Sequence, residues 1–336
     1  MFKNKSILVT GATGSFGKYF IEYIIKNYPN FKKLVIFSRD ELKQFEMSKQ
    51  KKFQHQNLRM FIGDIRDKDR IQRALEGIDI VIHAAALKQV PTAEYNPFEF
   101  IKTNIIGTQN LVESCLDNNV EKVVALSTDK ASSPINLYGA TKLCSDKLVL
   151  SANNIKGKRK ITFSVVRYGN VMGSRGSVLP FFLKVFSNKK KLPLTHFEMT
   201  RFNISLIEAI KLVEKAITNS AGGEIYIPKL KSFYIRDLIH AITGKKNHFK
   251  IVGIRPGEKI HEELINLSEI KNTIEHNDHY VILSNFSEKQ ILNYCNKKKY
   301  KKVASNFIYN SGDNKKFMSL KELKTLLQEK NIRSDK

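Results

Sequence analysis

Tyr138 and Lys142 stand four residues apart in Tyr138-Gly139-Ala140-Thr141-Lys142, and on a helix residues so spaced share one face. An ammonium beside a phenol favours the phenolate and lowers its pKa toward working pH, which makes the oxygen a base for an alcohol proton. Alone, that spacing describes many surface pairs. Just upstream, Ser127-Thr128-Asp129-Lys130 follows the apolar run Val123–Leu126. A threonine there can hydrogen-bond a substrate hydroxyl, and Asp129 and Lys130 offer an acid and a potential base. The same two charges could instead solvate a loop. Cys115, Cys144 and Cys295 are odd in number and far apart, so they form neither a disulfide framework nor a zinc-ligand spacing. No metal site is expected, and a reducing cytoplasm fits this usage.

A second cluster of signals explains what would accept the electrons. Gly11-Ala12-Thr13-Gly14-Ser15-Phe16-Gly17 follows the run Ile7–Val9 and opens a helix. Glycines let the backbone turn tightly against a pyrophosphate, and the helix N-terminus supplies N–H groups and partial positive charge. The spacing Gly-x-x-Gly-x-x-Gly resembles the short-chain dehydrogenase superfamily. The next apolar run ends Phe37-Ser38-Arg39. A hydroxyl and a guanidinium there suit a 2′-phosphate and favour NADP over NAD. Asp40 follows, and could cap the next helix instead of meeting a ribose. In Gly63-Asp64-Ile65-Arg66-Asp67, Asp64 either meets the adenine, as in the superfamily, or caps a helix beginning near Arg66. Ala84-Ala85-Ala86 ends a further strand with small residues that let the backbone lie against the cofactor, beside a core histidine, His83. Lys88 lies just beyond that strand's carboxyl end, where open α/β sheets bind ligands.

The elements that would position these groups are legible as a rhythm. Short apolar runs at Ile7–Val9, Leu34–Phe37, Met60–Ile62, Ile78–Ile82, Val123–Leu126 and Thr162–Val166 alternate with longer amphipathic stretches. This is the signature of βαβ units and a parallel sheet covered on both faces. The expected fold is α/β: a Rossmann-like, doubly wound parallel sheet with a smaller C-terminal substrate domain. Residues 1–170 would form the NADP-binding domain, its sheet completed by a later segment near 224–227. Residues 171–336 would be mainly substrate-binding, ending in a frayed tail from Asn331.

Composition narrows the class. The chain of 336 residues carries a formal charge of +25, which admits nucleic acid or a membrane surface as partner. The excess is mostly lysine spread along the chain, without interleaved aromatics or a nucleic-acid motif. No nucleic-acid partner is expected. No run approaches the ~20 apolar residues of a membrane span, and the short N-terminal run reads as a first strand rather than a signal sequence.

The motifs together resemble one family. Gly14-Ser15-Phe16-Gly17-Lys18, Ser38-Arg39-Asp40-Glu41-Leu42-Lys43-Gln44, Ala84-Ala85-Ala86-Leu87-Lys88 and Ser127-Thr128-Asp129-Lys130 look like the inverting UDP-N-acetylglucosamine 4,6-dehydratases that begin pseudaminic acid synthesis. So do the stretch Pro134 to Lys147, Arg167-Tyr168-Gly169-Asn170-Val171-Met172-Gly173-Ser174-Arg175-Gly176-Ser177 and Ile254-Arg255-Pro256-Gly257-Glu258-Lys259-Ile260-His261-Glu262. The likeness weakens after about Ser268. It implies oxidation at C4 of the sugar, loss of water across C5 and C6, and return of the hydride to C6. The product would be UDP-2-acetamido-2,6-dideoxy-β-L-arabino-hex-4-ulose, and the NADP, regenerated each turnover, would stay bound.

Carried over by motif, Tyr138 is the base for the C4 hydroxyl, Lys142 tunes it, Thr128 holds the substrate, Asp129 is the acid at the C6 oxygen and Lys130 the base at C5. Retaining dehydratases have Glu at the Lys130 position. For Lys130 to act as base, burial and nearby positive charge must depress its pKa. The resemblance extends the cofactor contacts to Thr13, Ser15, Phe16, Glu41, Leu42, Lys43, Gln44, Ile65, Asn104, Leu126 and Ser127. It assigns Lys88, Asn170, Arg175, Val178, Thr195, Arg255 and Glu258 to the UDP-sugar, though Arg175, Arg255 and Glu258 could each make an ordinary intrachain ion pair instead. It also implies a homo-oligomer. A nucleotide-sugar epimerase or a retaining dehydratase on the same scaffold is the main alternative; a non-catalytic NADP sensor would be expected to lack Tyr138 or Lys142.

Overall fold

The structure, a computed structural model, describes residues 1–174 and 176–328; Arg175 and the expected tail from Asn331 lie outside the described residues. Strand and helix alternate through β1 (Ser6–Thr10), α1 (Ser15–Asn27), β2 (Lys33–Ser38), α2 (Glu41–Ser48), β3 (Leu58–Ile62), α3 (Lys68–Ala74), β4 (Ile80–His83), α4 (Val90–Tyr95), α5 (Pro97–Phe100), α6 (Gly107–Asp117), β5 (Lys122–Thr128), α7 (Leu137–Ile155) and β6 (Thr162–Tyr168). Every residue of β1 and β4 is buried, as required of strands covered by helices on both faces. The sheet runs β3-β2-β1-β4-β5-β6, all parallel. Its order reverses between β1 and β4, which opens a crevice at the carboxyl ends of the strands.

Beyond β6 the chain continues through β7 (Asn170–Val171), α8 (Val178–Ser187), β8 (Leu192–Leu194), β9 (Thr200–Ile204), α9 (Leu206–Asn219), β10 (Ile225–Pro228), β11 (Lys231–Tyr234) and α10 (Ile235–Thr243). Strand β10 returns to the main sheet, parallel to β6. An antiparallel strand, His279–Ile282, pairs with its other edge. Strands β11, β9 and β7 form a separate small sheet, and a second hydrophobic cluster including Leu179, Phe182, Leu192, Leu194, Phe233 and Leu238 packs beside it. Helix α9 begins with a reciprocal cap between Ser205 and Glu208, which satisfies two otherwise orphaned N–H groups. Among the described residues no helix is long and apolar enough to cross a membrane.

One local expectation is corrected, and one irregular turn is added. The helix after β3 starts at Lys68, capped by Asp67, whose carboxylate accepts from the Arg70 N–H. Asp64 caps only the turn before it, its carboxylate accepting from the Arg66 N–H at 3.0 Å and from the Arg66 side chain at 2.7 and 3.0 Å. Between α5 and α6, residues Ile101–Ile106 form a π-helical turn. That turn carries Asn104, whose amide spans the backbone of Leu87 (2.8 and 2.9 Å) and the Thr141 hydroxyl (3.0 Å). It braces the loop after β4 against α7.

Candidate active site

The crevice is lined at one end by Gly11, Ser38, Arg39, Asp64, Ile65 and Ala85–Leu87, around a cavity of about 130 Å³. Gly11 has φ +63°, and a Cβ there would lie 2.7 Å from the Ala85 nitrogen, so only glycine lets this turn pass. No side chain caps α1 at Gly14, which leaves its first turn suited to an anion. Thr13 and Ser38 share a hydroxyl–hydroxyl bond of 2.8 Å. Arg39, half-exposed, lies 3.5 Å from Asp64. Burial raises the Asp64 carboxyl, but the hydrogen bonds and charge of Arg66, with Arg39, more than offset it and hold the carboxyl below its ordinary range. The donor set fits a dinucleotide with an anionic group near Ser38 and Arg39. A larger cavity, about 270 Å³, lies at the amino ends of β5 and β6 beside Glu121 and Arg159; it collects none of the candidate acid–base residues.

The other α2 positions divide. Asp40 caps α2 through the Lys43 N–H and pairs with the Lys43 ammonium. Gln44 is buried, its amide committed to the carbonyls of Ser38 and Phe61. Glu41 and Leu42 are exposed on the outer side. Leu126 precedes Ser127 in β5. At the end of β4, Ala84 and Ala85 donate their N–H groups to the Thr10 hydroxyl. His83 is a core residue, as expected: Thr10 and Thr108 flank its two nitrogens at 2.8 and 3.1 Å.

The acid–base groups converge where β5 ends. The Thr128 hydroxyl donates to Asp129 Oδ1 at 2.9 Å and accepts from the Lys130 N–H at 3.4 Å, shaping the single 3-10 turn Asp129–Ala131. Helix α7 presses directly on this turn. A Cβ at Gly139 would lie 2.2 Å from the Lys130 carbonyl oxygen, so the residue beside Tyr138 must be glycine. Burial pushes the Tyr138 phenol up to about 12, opposed by the Lys130 ammonium and a hydrogen bond with Thr128. Lys142, one turn further along α7, is buried too. Burial lowers its pKa while the Asp146 carboxylate draws it back up. The foremost charge favouring the Tyr138 phenolate is that of Lys130, a neighbour that the helix spacing does not reveal.

Lys130 departs from expectation. Its ammonium lies 3.1 Å from Asp129 Oδ1 and 2.9 Å from Glu262 Oε1. Burial alone would lower its pKa, but the two carboxylates overcome both burial and the Arg201 guanidinium and raise it. Lys130 therefore rests as an ammonium, and the expected depression by positive neighbours is corrected. Asp129, 1 % exposed, is raised above the ordinary carboxylate range by burial, against the pull of Lys130.

The substrate candidates are scattered more widely. Asn170 opens β7 with its Oδ1 buried and without a hydrogen-bond partner among the described residues. Val178 begins α8, and Thr195 is buried just after β8. Lys88 is exposed on the loop after β4. Arg255 and Glu258 pair with each other at 3.1 Å, and Glu258 also faces Arg201 at 3.8 Å. Arg175 lies outside the described residues.

Four buried charged residues around the candidate acid–base groups had no assigned role: Glu262 and Arg201 beside Lys130, and Asp146 and Arg167 beneath Lys142. Asp146 stands four residues after Lys142, a spacing that could have flagged it. Glu262 ended a recognised stretch. Arg167 opened another recognised stretch, and nothing local marks Arg201. Among the described residues one group has metal-ligand proximity, His276, Asp278 and His279; it lies at a distant turn, with the Lys215 ammonium against Asp278.

Residues 7–284 match the family model described as polysaccharide biosynthesis protein. The chain is 50% identical over 329 residues to a UDP-N-acetylglucosamine 4,6-dehydratase (inverting) of Campylobacter jejuni, covering 96% of this chain and 97% of that one. It is 39% identical to a UDP-glucose 4-epimerase of Rickettsia felis, covering 97% and 96%. The crystal structure of Pen from Bacillus thuringiensis superimposes with a TM-score of 0.88 at 36% identity, covering 99% of both chains.

Proposed function

We propose, since the chain belongs to the polysaccharide biosynthesis protein family, that it is a UDP-N-acetylglucosamine 4,6-dehydratase that inverts C5. The observation that carries this reading is the convergence of Tyr138, Thr128, Asp129 and Lys130 at the end of β5. It occurs in a chain that shares half its residues with a relative of that name. The 39% likeness to an epimerase keeps isomerisation as the competing outcome; the Asp129–Lys130 couple favours dehydration, because elimination needs an acid and a base at adjacent carbons.

Residues 1–170 with β10 would hold a tightly bound NADP, its 2′-phosphate at Ser38 and Arg39, and the later segments mainly the sugar nucleotide. The nicotinamide, when bound, supplies the hydride acceptor for C4 and the donor for C6. Tyr138 takes the C4 hydroxyl proton, Thr128 orients that hydroxyl, and Lys142 steadies the site from one turn below. Asp129, its proton favoured by burial, gives that proton to the departing C6 oxygen. Lys130 removes the C5 proton. Asn170, Thr195 and the Arg255–Glu258 pair are placed to recognise the UDP-sugar. A homo-oligomer acting in the cytoplasm at the start of pseudaminic acid synthesis belongs to the same reading.

Incubation with UDP-N-acetylglucosamine in heavy water, followed by mass and NMR analysis, tests it. A product lighter by one water, with deuterium at an inverted C5, is expected. An isomer of unchanged mass would replace the reading with epimerisation.

A further inference from the structure

Glu262 is a buried acid in contact with the proposed C5 base, and the reaction as described leaves it idle. It is 2 % exposed. Ser311 fixes its backbone on both sides: the Glu262 N–H donates to Ser311 Oγ at 2.9 Å, and its carbonyl accepts from the Ser311 N–H at 2.7 Å. The segment leading to it is fastened to the Lys130 turn. Lys259 Nζ donates to the Ser132 carbonyl at 2.9 Å, and the Asn136 amide donates to the Gly257 carbonyl at 2.8 Å. Glu262 Oε1 is thereby held 2.9 Å from Lys130 Nζ. The other oxygens, Glu262 Oε2 and Asp129 Oδ2, are buried with no hydrogen-bond partner among the described residues. Each has room on its lone pairs for a proton.

A dry cluster resists any change in net charge, because an uncompensated buried charge loses its hydration without replacement. Lys130 must lose a proton to become a base. The charged or titratable groups facing it are Asp129, Glu262, Arg201 and Tyr138. Those facing Glu262 are Lys130, Arg201 at 3.6 Å, Lys259 and, across Lys130, Asp129, while Glu258 faces Arg201 from the other side. Asp129 must enter the step already protonated if it is to give a proton to the C6 oxygen. Glu262 is then the remaining carboxylate in contact with Lys130.

We propose that Glu262 is the proton acceptor that turns Lys130 from an ammonium into an amine. An N–H bond of Lys130 breaks and an O–H bond forms on Glu262. The amine lone pair takes the C5 proton, and the Asp129 proton leaves with the C6 hydroxyl as water. Negative charge passes from Glu262 to Asp129, and the net charge of the site is the same before and after elimination. Glu262 acts through Lys130 and is a positioning residue. The inference rests on Lys130 being the C5 base.

Glu262→Gln keeps an oxygen for Lys130 but cannot take its proton. In the full-length enzyme its kcat is expected to fall about a hundredfold, the scale of a lost acid–base partner, with KM for UDP-N-acetylglucosamine little changed. Substrate deuterated at C5 should show a larger isotope effect than in the wild type, because C5–H cleavage becomes limiting. The residual rate should climb with pH as hydroxide strips Lys130 instead. Glu262→Asp retains a carboxylate and should keep the wild-type pH profile, and it serves as the reading if the Gln variant does not fold; a pH-climbing Asp variant then counts against the inference. Wild-type turnover in Glu262→Gln overturns it, as does a loss with neither the enlarged isotope effect nor the climb with pH. Lys130→Ala separates the layers. If that variant turns over normally, the C5-base reading fails; if it is dead while Glu262→Gln is normal, only the role of Glu262 fails.

Discussion

The Ser127 hydroxyl donates to the Asp146 carboxylate at 2.6 Å, joining the end of β5 to the body of α7 inside the core. Asp146 in turn faces Arg167 at 3.6 Å, and Arg167 meets Glu269 at 2.9 Å. A buried chain of alternating charge therefore runs beneath Lys142 and fixes the strand and helix that carry the acid–base groups. Ser127, expected at the cofactor, spends its hydroxyl proton on this brace.

Arg167→Met should destabilise the protein by about 3–5 kcal/mol, because it removes the cation that stands between Asp146 and Glu269. Arg167 also donates to the Leu264 carbonyl at 3.1 Å, a bond methionine cannot replace. Denaturant unfolding checks this; an unchanged midpoint at unchanged slope would show that the guanidinium contributes nothing.

Tyr138→Phe should reduce product formation by about 10²–10⁴-fold, the range for a lost proton-transfer group. The fold should survive, since the ring keeps its packing against Ala93 and Phe100. Without ligand the Tyr138 phenol is held up to about 12, so its phenolate absorbance, taken as the difference between wild type and this variant, should appear only in strong alkali. A Tyr138 signal titrating near neutrality in the free protein would contradict the burial that the structure gives it.

Arg39→Ala should weaken NADP binding about tenfold or more, the scale of one charge-assisted hydrogen bond, and leave NAD little affected. Calorimetric titration with each cofactor reads the two separately. Equal weakening of both would remove the 2′-phosphate from the Arg39 site.

His83 should make the fold acid-sensitive. Burial, helped by the Lys142 charge, lowers its pKa from 6.5 to about 3. Between those values the unfolded chain binds a proton that the folded chain refuses, so stability falls as pH drops through that window. The slope from this one group is up to about 1.4 kcal/mol per pH unit. Unfolding measured from about pH 7 to about pH 4 should be flatter for His83→Gln than for the wild type; parallel curves would mean the histidine is hydrated.

What was legible in the chain was whatever depends on near neighbours. Apolar runs separated by amphipathic stretches specify parallel strands and covering helices. The glycines from Gly11 to Gly17 specify a tight turn, and the spacing of Tyr138 and Lys142 specifies one helical face. Thr128, Asp129 and Lys130 needed only a strand end to reach the crevice. Ionisation was not legible, because it depends on charge through space. A basic Lys130 called for burial and positive neighbours; the fold instead brings Glu262 to its ammonium from the far part of the chain and raises its pKa. Asp146, Arg167 and Glu269 likewise meet only through packing. Sequence spacing decides which side chains share a face, but only the tertiary structure decides which charges share a dry cavity, and that sharing sets the resting place of each proton.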